Sequence, residues 1–161
     1  MTEEQFRYLF DQHFDAIRRY LYYRSGDDAV STDLAQDTFM KVWEKKMTLD
    51  PERDAALLYK IAGDLFVSHI RRIRLSREVF SEIRFDLTGE SPDVQMQYEE
   101  LKSKYETALV KLPEKQRIVF LMSRMEELTY REIAERLSIG IKAVEKRMTA
   151  ALAILRKEIN S

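Results

Sequence analysis

Residues 112–159 read LPEKQRIVFLMSRMEELTYREIAERLSIGIKAVEKRMTAALAILRKEI. Apolar residues in this stretch recur with the period of an α-helix and are interrupted twice, which predicts helices over 114–125, 130–137 and 141–159. Thr129 stands where an N-cap residue is expected, and Ser138-Ile139-Gly140 forms the turn before the last helix. A short helix, a tight turn and a longer helix are the pattern of a helix-turn-helix.

The helix that begins at Ile141 has two chemically different faces. Its apolar face is expected to be buried and consists of Ile141, Val144, Met148, Leu152 and Leu155. Its polar face carries Lys142, Glu145, Lys146 and Thr149. Charged and polar side chains at this spacing on the second helix of such a motif are positioned to enter a DNA major groove.

The composition favours a helical protein. The chain has 161 residues, 45% of them apolar, with only 4 Gly and 3 Pro, which argues against a β-rich or disordered architecture. It has no Cys, which excludes disulfides, thiolate zinc sites and a cysteine nucleophile. There is no signal-peptide pattern and no apolar run of membrane-spanning length, so we expect a cytoplasmic location without membrane insertion. No cofactor or metal site is expected.

The net charge of −1 hides an uneven distribution along the chain. Residues 56–77 hold five basic side chains and one acidic, and residues 129–161 hold seven basic and four acidic. Residues 78–106 hold eight acidic and three basic side chains. Because DNA affinity depends on local neutralisation of phosphates, the two basic patches are candidate DNA contacts. The alternative is that each patch is only a solvated helix face.

The pattern predicts an all-α protein of two small helical domains joined by an acidic linker. In the N-terminal part, helices are predicted over 3–24, 31–46 and 57–77, with a loop over 47–56. Periodicity fails between 79 and 100, which predicts a linker with or without a short helical piece, and the chain is predicted to be helical again from Leu101. The predicted domains are therefore 1–78 and 101–161, the second containing the helix-turn-helix. A fully stretched linker of that length spans about 70 Å, which is also about two turns of DNA.

A first sequence motif runs from Asp33 to Trp43, DLAQDTFMKVW. It resembles the D-x-x-Q-[DE]-x-F-x-[KR]-x-W helix of the extracytoplasmic-function (ECF) sigma factors, the small bacterial RNA polymerase specificity subunits of the sigma-70 family. In that family the helix docks on the core polymerase. The resemblance implies that four residues bind core polymerase, namely Asp33, Gln36, Asp37 and Lys41. One exposed face of the helix would carry Asp33, Gln36 and Asp37. The opposite face would be anchored by Phe39, Val42 and Trp43. The alternative interpretation is an ordinary surface helix without a polymerase contact.

A second motif, LYKIAGD at 58–64 followed by SHIRR at 68–72, resembles the segment with which the family recognises and melts the −10 promoter element. The resemblance implies −10 DNA contacts by Lys60, Asp64, Ser68, His69, Arg71, Arg72 and Arg74. The loop 48–56 would form the wall of a pocket for a flipped base. Asp64 stands where the family often has Asn, and an ionised Asp only accepts hydrogen bonds, so a different base preference is expected. Gly63 would either allow close approach of DNA or be neutral.

The third motif combines LPEKQR at 112–117 with LTYREIA at 128–134 and is similar to the family's reader of the −35 element. The resemblance implies −35 DNA contacts by Thr129, Arg131, Lys142, Glu145, Lys146, Arg147 and Thr149, with Thr129, Arg131 and Arg147 placed for the phosphate backbone. Ser138 stands where many such motifs have Gly. A left-handed Ser costs roughly 1–2 kcal/mol, which favours a slightly shifted turn.

Three motifs in this order imply a sigma factor whose partners are core RNA polymerase, promoter DNA and an anti-sigma factor, expected to be membrane-associated. The main alternative is another helix-turn-helix regulator, but residues 1–100 lack the strand-like alternation of a receiver domain. A helical adaptor that binds only protein would not explain the basic recognition face. An enzyme is least favoured, because His13 and His69 are the only histidines and no phosphate-binding glycine loop is present.

Overall fold

A computed structural model describes residues 1–76 and 96–160, and all regular structure in these ranges is α-helical. The predicted all-α fold class is therefore confirmed. None of the helices in these ranges is long and apolar enough to cross a membrane. The helices are α1 Glu3–Ser25, α2 Asp28–Glu44, α3 Ala55–Ser76, α4 Met96–Lys111, α5 Glu114–Met125, α6 Tyr130–Leu137 and α7 Ile141–Ile159.

Helices α1, α2 and α3 pack on one another and form the N-terminal helical unit. Thr2 and Gln5 form a capping box at the start of α1, and Gly26 ends this helix with a left-handed backbone (φ 67°). Helix α2 begins at Asp28, earlier than the predicted Ser31, because the Asp27 side chain accepts a hydrogen bond from Val30 N and caps the helix there.

Aromatic side chains hold α1 against α2. Phe39 is 1% exposed and lies edge-on to Phe6 and Phe10, with ring centroids 6.5 and 5.2 Å apart. Trp43 packs on Phe6 at 5.0 Å but remains 41% exposed. The expectation that Trp43 anchors the inner side of α2 is therefore only partly met, since one side of its ring stays in solvent near the end of the helix.

Helices α4, α5 and α6 pack against α7 in the C-terminal unit. The predicted apolar stripe of α7 is wrong at two positions, because Ile141 and Leu152 are 40% and 36% exposed. The buried stripe instead consists of Val144, Met148, Ala151 and Leu155. The small side chain of Ala151 permits neighbouring helices to pack closely on α7. Ala151 therefore faces the core, where Leu152 was predicted to lie.

The two units contact each other, with α1 against α5 and α3 against α6. Helix α4 already begins at Met96, inside the segment 79–100 that was predicted as a linker. Residues 79–95 of that predicted linker lie outside the described residues. The domain boundaries at 78 and 101 therefore stay a prediction.

The turn of the helix-turn-helix lies where the sequence places it. Ser138 adopts a left-handed backbone (φ 57°) and caps α6, with its N–H donating to the carbonyls of Ala134 and Glu135. Gly140 is the N-cap of α7 at φ −76°. The expectation of a shifted turn is wrong, because the tertiary packing of α6 on α7 holds Ser138 in the strained conformation.

Replacing Ser138 with Gly should therefore stabilise the protein. Relief of left-handed strain is worth roughly 1–2 kcal/mol, and the greater freedom of Gly in the unfolded chain offsets about 0.4–1 kcal/mol. We expect a melting temperature higher by about 2–4 °C in thermal unfolding followed by circular dichroism. Ser138→Ala keeps the strain and serves as the control; a rise with Ala equal to that with Gly would contradict the backbone explanation.

Candidate DNA and polymerase interfaces

The outer face of α2 is acidic and also carries exposed apolar side chains. Asp33, Gln36 and Asp37 are exposed on this face, as the spacing predicts, and Met40 between them and Trp43 is 51% exposed. The inner face is locked in the core by Leu34, Ala35, Phe39 and Val42. Lys41 is only half-buried and lies at the edge of the outer face. Met40 was not among the residues predicted for this face, although its position three residues after Asp37 places it there.

Helix α3 presents a polar face and a basic end. Lys60, Asp64 and Ser68 are exposed at successive turns of this helix, while Tyr59, Ala62 and Phe66 are buried on the other side. Near the C-terminal end the guanidinium-bearing residues are all exposed, namely Arg71, Arg72 and Arg74. His69 is half-buried beside them. The structure thus places the predicted −10 residues along one helix, with His69 the least accessible.

The loop between α2 and α3 forms one wall of an open cleft of about 520 Å³. Asp50 organises the loop by accepting hydrogen bonds from Arg53 N and Glu52 N, and these bonds hold the pKa of its carboxyl below the ordinary value. The other wall comes from α1 and includes Tyr8, which is 55% exposed. The loop wall at 48–56 was predicted from the sequence. The α1 wall was not, because residues so distant in sequence share no local pattern.

The helix-turn-helix exposes Lys142, Glu145, Lys146 and Thr149 together on α7. Their exposure is fixed by the buried stripe on the opposite side of the helix. Thr129 accepts a hydrogen bond from Glu132 N while the Glu132 carboxylate accepts one from Thr129 N. The hydrogen bond from Thr129 N to this carboxylate, together with one from the Thr129 side chain, holds the pKa of Glu132 below the ordinary value. The capping box orients the start of α6, where Arg131 is exposed.

Arg147 does not share this face. It is half-buried and lines a cleft between the two units, together with Arg24, Glu114 and Leu137. Six of the seven predicted −35 residues are therefore exposed on the helix-turn-helix. The seventh, Arg147, lies about 100° around α7 from Lys146.

Gly63 lies beside the predicted −10 residues but is buried. A Cβ at this position would stand 3.0 Å from Arg24 Nη1 and 3.4 Å from the Tyr20 hydroxyl. The sequence predicted that Gly63 either allows close approach of DNA or is neutral, and neither prediction included the proximity of Arg24 and Tyr20. The missing side chain makes room for Arg24, which lies over the Phe66 ring at 4.5 Å.

The two histidines lie apart in the part of the chain that the structure describes. The His13 Nε2 contacts the Pro51 carbonyl and helps to seat the α2–α3 loop on α1. No group of three or more His, Asp or Glu residues within 1–76 and 96–160 is placed to hold a metal ion.

Comparisons with known proteins agree with this arrangement. Residues 9–75 match the family model "Sigma-70 region 2", and residues 102–155 match "Sigma-70, region 4". The chain is 31% identical over 157 residues to the RNA polymerase sigma factor YlaC of Bacillus subtilis, covering 94% of this chain and 90% of YlaC. It is 29% identical over 143 residues to the ECF RNA polymerase sigma factor SigE of Mycolicibacterium smegmatis, covering 87% of this chain but 56% of SigE.

The fold matches a solved sigma factor. RpoE of Bartonella quintana, solved in complex with the anti-sigma factor NepR, superimposes with a TM-score of 0.70 over 96% of each chain at 22% identity. The helical fold, the matches to the two family regions and the similar sequences all indicate the same family. The chain therefore belongs to the ECF sigma factors of the sigma-70 family, the subunits that direct RNA polymerase to promoters.

Proposed function

We propose that this sigma factor docks on core polymerase through the outer face of α2. The observation that carries the proposal is the exposure of that face: Asp33, Gln36 and Asp37 are followed one turn later by the exposed apolar Met40, while the inner side of the helix is buried. Exposed apolar groups beside charged ones are usual in protein interfaces. The acidic groups suit charge-assisted pairing with Arg or Lys of a partner. Lys41 would contact the polymerase from the edge of this face.

The same proposal assigns the exposed side of α3 to the −10 element. Lys60 and Ser68 would contact the DNA strand near Asp64, His69 would contribute at its edge, and the basic end of the helix would hold phosphates through Arg71, Arg72 and Arg74. The cleft between α1 and the α2–α3 loop has an exposed Tyr8 on which an unpaired base can stack. Asp64 would favour an exocyclic amino group, because an ionised carboxylate only accepts hydrogen bonds.

The helix-turn-helix would read the −35 element in the major groove. Lys142, Glu145, Lys146 and Thr149 are exposed on α7 and would face the base edges. Thr129 and Arg131 lie at the start of α6 and would contact phosphates. Arg147 would reach DNA only after the cleft that it lines has opened.

We further propose an anti-sigma factor as a protein partner. The similar sigma factors RpoE and CnrH were solved with the anti-sigma factor NepR and with the cytosolic domain of CnrY, respectively. The apolar and charged surfaces described above are available to such an inhibitor. The sigma factor would act in the cytoplasm, carry no cofactor and make no covalent change to DNA or polymerase.

The deciding experiment is reconstitution with bacterial core RNA polymerase, followed by run-off transcription on a fragmented genomic library. Discrete transcripts that require the sigma factor, and are absent with core enzyme alone, are the expected result. DNA binding without any binding to core polymerase would instead indicate an ordinary helix-turn-helix regulator. Protein binding without DNA binding would indicate an adaptor.

A further inference from the structure

His13 on α1 holds the α2–α3 loop in place beside the cleft that both elements line. The His13 side chain is half-buried, and its Nε2 lies 2.5 Å from the carbonyl oxygen of Pro51. Because a carbonyl oxygen can only accept a hydrogen bond, Nε2 must carry the proton and donate it. Pro51 itself lines the cleft, so this hydrogen bond ties one wall of the cleft to the helix that forms the other.

The loop around Pro51 is cross-linked by its own hydrogen bonds. The Asp50 N–H donates to the Asp54 carboxylate at 2.8 Å, and the Asp54 N–H donates to the Asp50 carbonyl at 2.9 Å. The Asp50 carboxylate also accepts hydrogen bonds from Glu52 N at 2.9 Å and Arg53 N at 3.0 Å. Side chains that bond to the backbone in this way fix the shape of a turn. A single hydrogen bond to Pro51 therefore positions the whole turn.

The other wall of the cleft is fixed by the core of the N-terminal unit. Tyr8 is 55% exposed on this wall, while the next residue, Leu9, is 1% exposed in the core. His13 lies five residues further along α1 than Tyr8, about 7.5 Å along the helix axis. A base stacks well on an aromatic ring only at close range, because an extra gap of roughly 0.5–1 Å forfeits about a quarter to a half of each dispersion contact. The distance between the two walls therefore matters for binding a base.

We propose that His13 is a positioning residue for the −10 element: its hydrogen bond to Pro51 sets the gap in which an unpaired base binds between Tyr8 and the loop. His13 itself does not line the cleft and so acts through the loop. The proposal rests on the function proposed above, which assigns this cleft to an unpaired −10 base. A merely structural role would instead lower the stability of the fold and leave base capture by the folded molecules unchanged.

The test compares two variants of the full chain with the wild type. His13→Phe keeps a flat ring but removes the donor, so the loop loses its hydrogen bond to α1. His13→Gln is the matched control, because its side-chain amide N–H can donate in place of the imidazole N–H. Since the protein has no Cys, exposed Asp11 on α1 and exposed Glu52 in the loop can be changed to Cys and spin-labelled. The distance between the two labels reports the position of the loop.

Base capture is measured on the polymerase holoenzyme with promoter DNA that is already melted at the −10 element. The promoter is one found by run-off transcription, and each non-template base of the element is removed in turn to leave an abasic site. The loss of affinity on removal measures the contribution of that base. Removing the captured base should weaken wild-type binding roughly 10-fold or more, which is the contribution expected from stacking on an aromatic ring.

We expect a longer and broader label distance in His13→Phe than in the wild type. Removing the captured base should weaken binding of this variant by less than about 3-fold, because a wider gap has already weakened the stacking. His13→Gln should restore both the short distance and most of the effect of base removal. Affinity for duplex DNA that carries only the −35 element should be the same in all three proteins, because the helix-turn-helix belongs to the other unit.

An unchanged label distance in His13→Phe would overturn the proposal, and so would a displaced loop with a wild-type effect of base removal. Should His13→Phe fail to fold in thermal unfolding, His13→Leu removes the donor with a smaller side chain, and the same outcomes decide. If the label distance responds but no base removal weakens wild-type binding, the assignment of the cleft and the role of His13 both fail, while docking and −35 reading stand. Absence of any wild-type transcript would remove the proposed function itself.

Discussion

The double variant Asp33→Arg/Asp37→Arg should lose binding to core RNA polymerase and all sigma-dependent transcripts. Both side chains are exposed, so folding should be unaffected within about 0.5 kcal/mol. Placing positive charges against a basic partner surface costs several kcal/mol, and two reversals should weaken the complex by about 1000-fold. Fluorescence anisotropy with labelled protein measures core binding, and run-off transcription measures activity.

The effect of the changed net charge must be separated from the effect of where on the surface the substitutions lie. Asp11→Arg/Asp15→Arg offers a matched control, because these two acidic residues are exposed on the neighbouring α1 with the same spacing and the same change of net charge. We expect this control to bind core polymerase within a few-fold of the wild type. Equal loss in both double variants would show that overall charge, and not the outer face of α2, governs docking.

The second large effect is expected at the helix-turn-helix, where Lys142→Glu/Lys146→Glu should abolish recognition of the −35 element. Each specific contact to a base is worth about 1–3 kcal/mol, so losing two should weaken specific binding by roughly 100-fold or more. The buried side of α7 is untouched, and the fold should be preserved. Binding of the polymerase holoenzyme to a promoter found by run-off transcription measures the effect.

The salt dependence of that binding gives an independent readout. Each phosphate contact that is lost reduces the slope of log affinity against log salt by about 0.9, whereas a lost base contact leaves the slope unchanged. Arg156→Glu/Lys157→Glu changes the charge by the same amount at the exposed far end of α7 and should retain −35 specificity. Preserved promoter selectivity in Lys142→Glu/Lys146→Glu would exclude this face as the −35 reader.

The local features of the fold could be predicted from the sequence because they depend on residues within one helical turn. The capping box of Thr2 and Gln5 and the N-cap at Thr129 bond residues three apart. The buried residues Ile133, Val144 and Met148 follow from the period of 3.6. Exposure of the outer face of α2 follows from the same rule, since its inner positions are apolar.

Failures of prediction concentrate where a neighbouring helix decides burial. Periodicity ranks Leu152 with the core, yet Ala151 is the residue that faces the packed helices and Leu152 is 36% exposed. The left-handed Ser138 is another case, because packing of α6 on α7 outweighs a local backbone preference. Arg147, which the sequence assigns to the phosphate backbone, lines the cleft between the units, a position that depends on the interdomain arrangement; its DNA contact stays a prediction.

The sequence by itself predicted the approximate places of the helices in the described ranges, the family and three candidate surfaces, because all of these rest on local periodicity and short motifs. Only the tertiary structure decided that the two units close on each other. The bond from Arg117 to the Tyr23 carbonyl joins residues 94 positions apart, and Gly63 matters because it leaves space for Arg24. Contacts between distant residues depend on the three-dimensional packing of complete helices, and no local pattern in the chain encodes them.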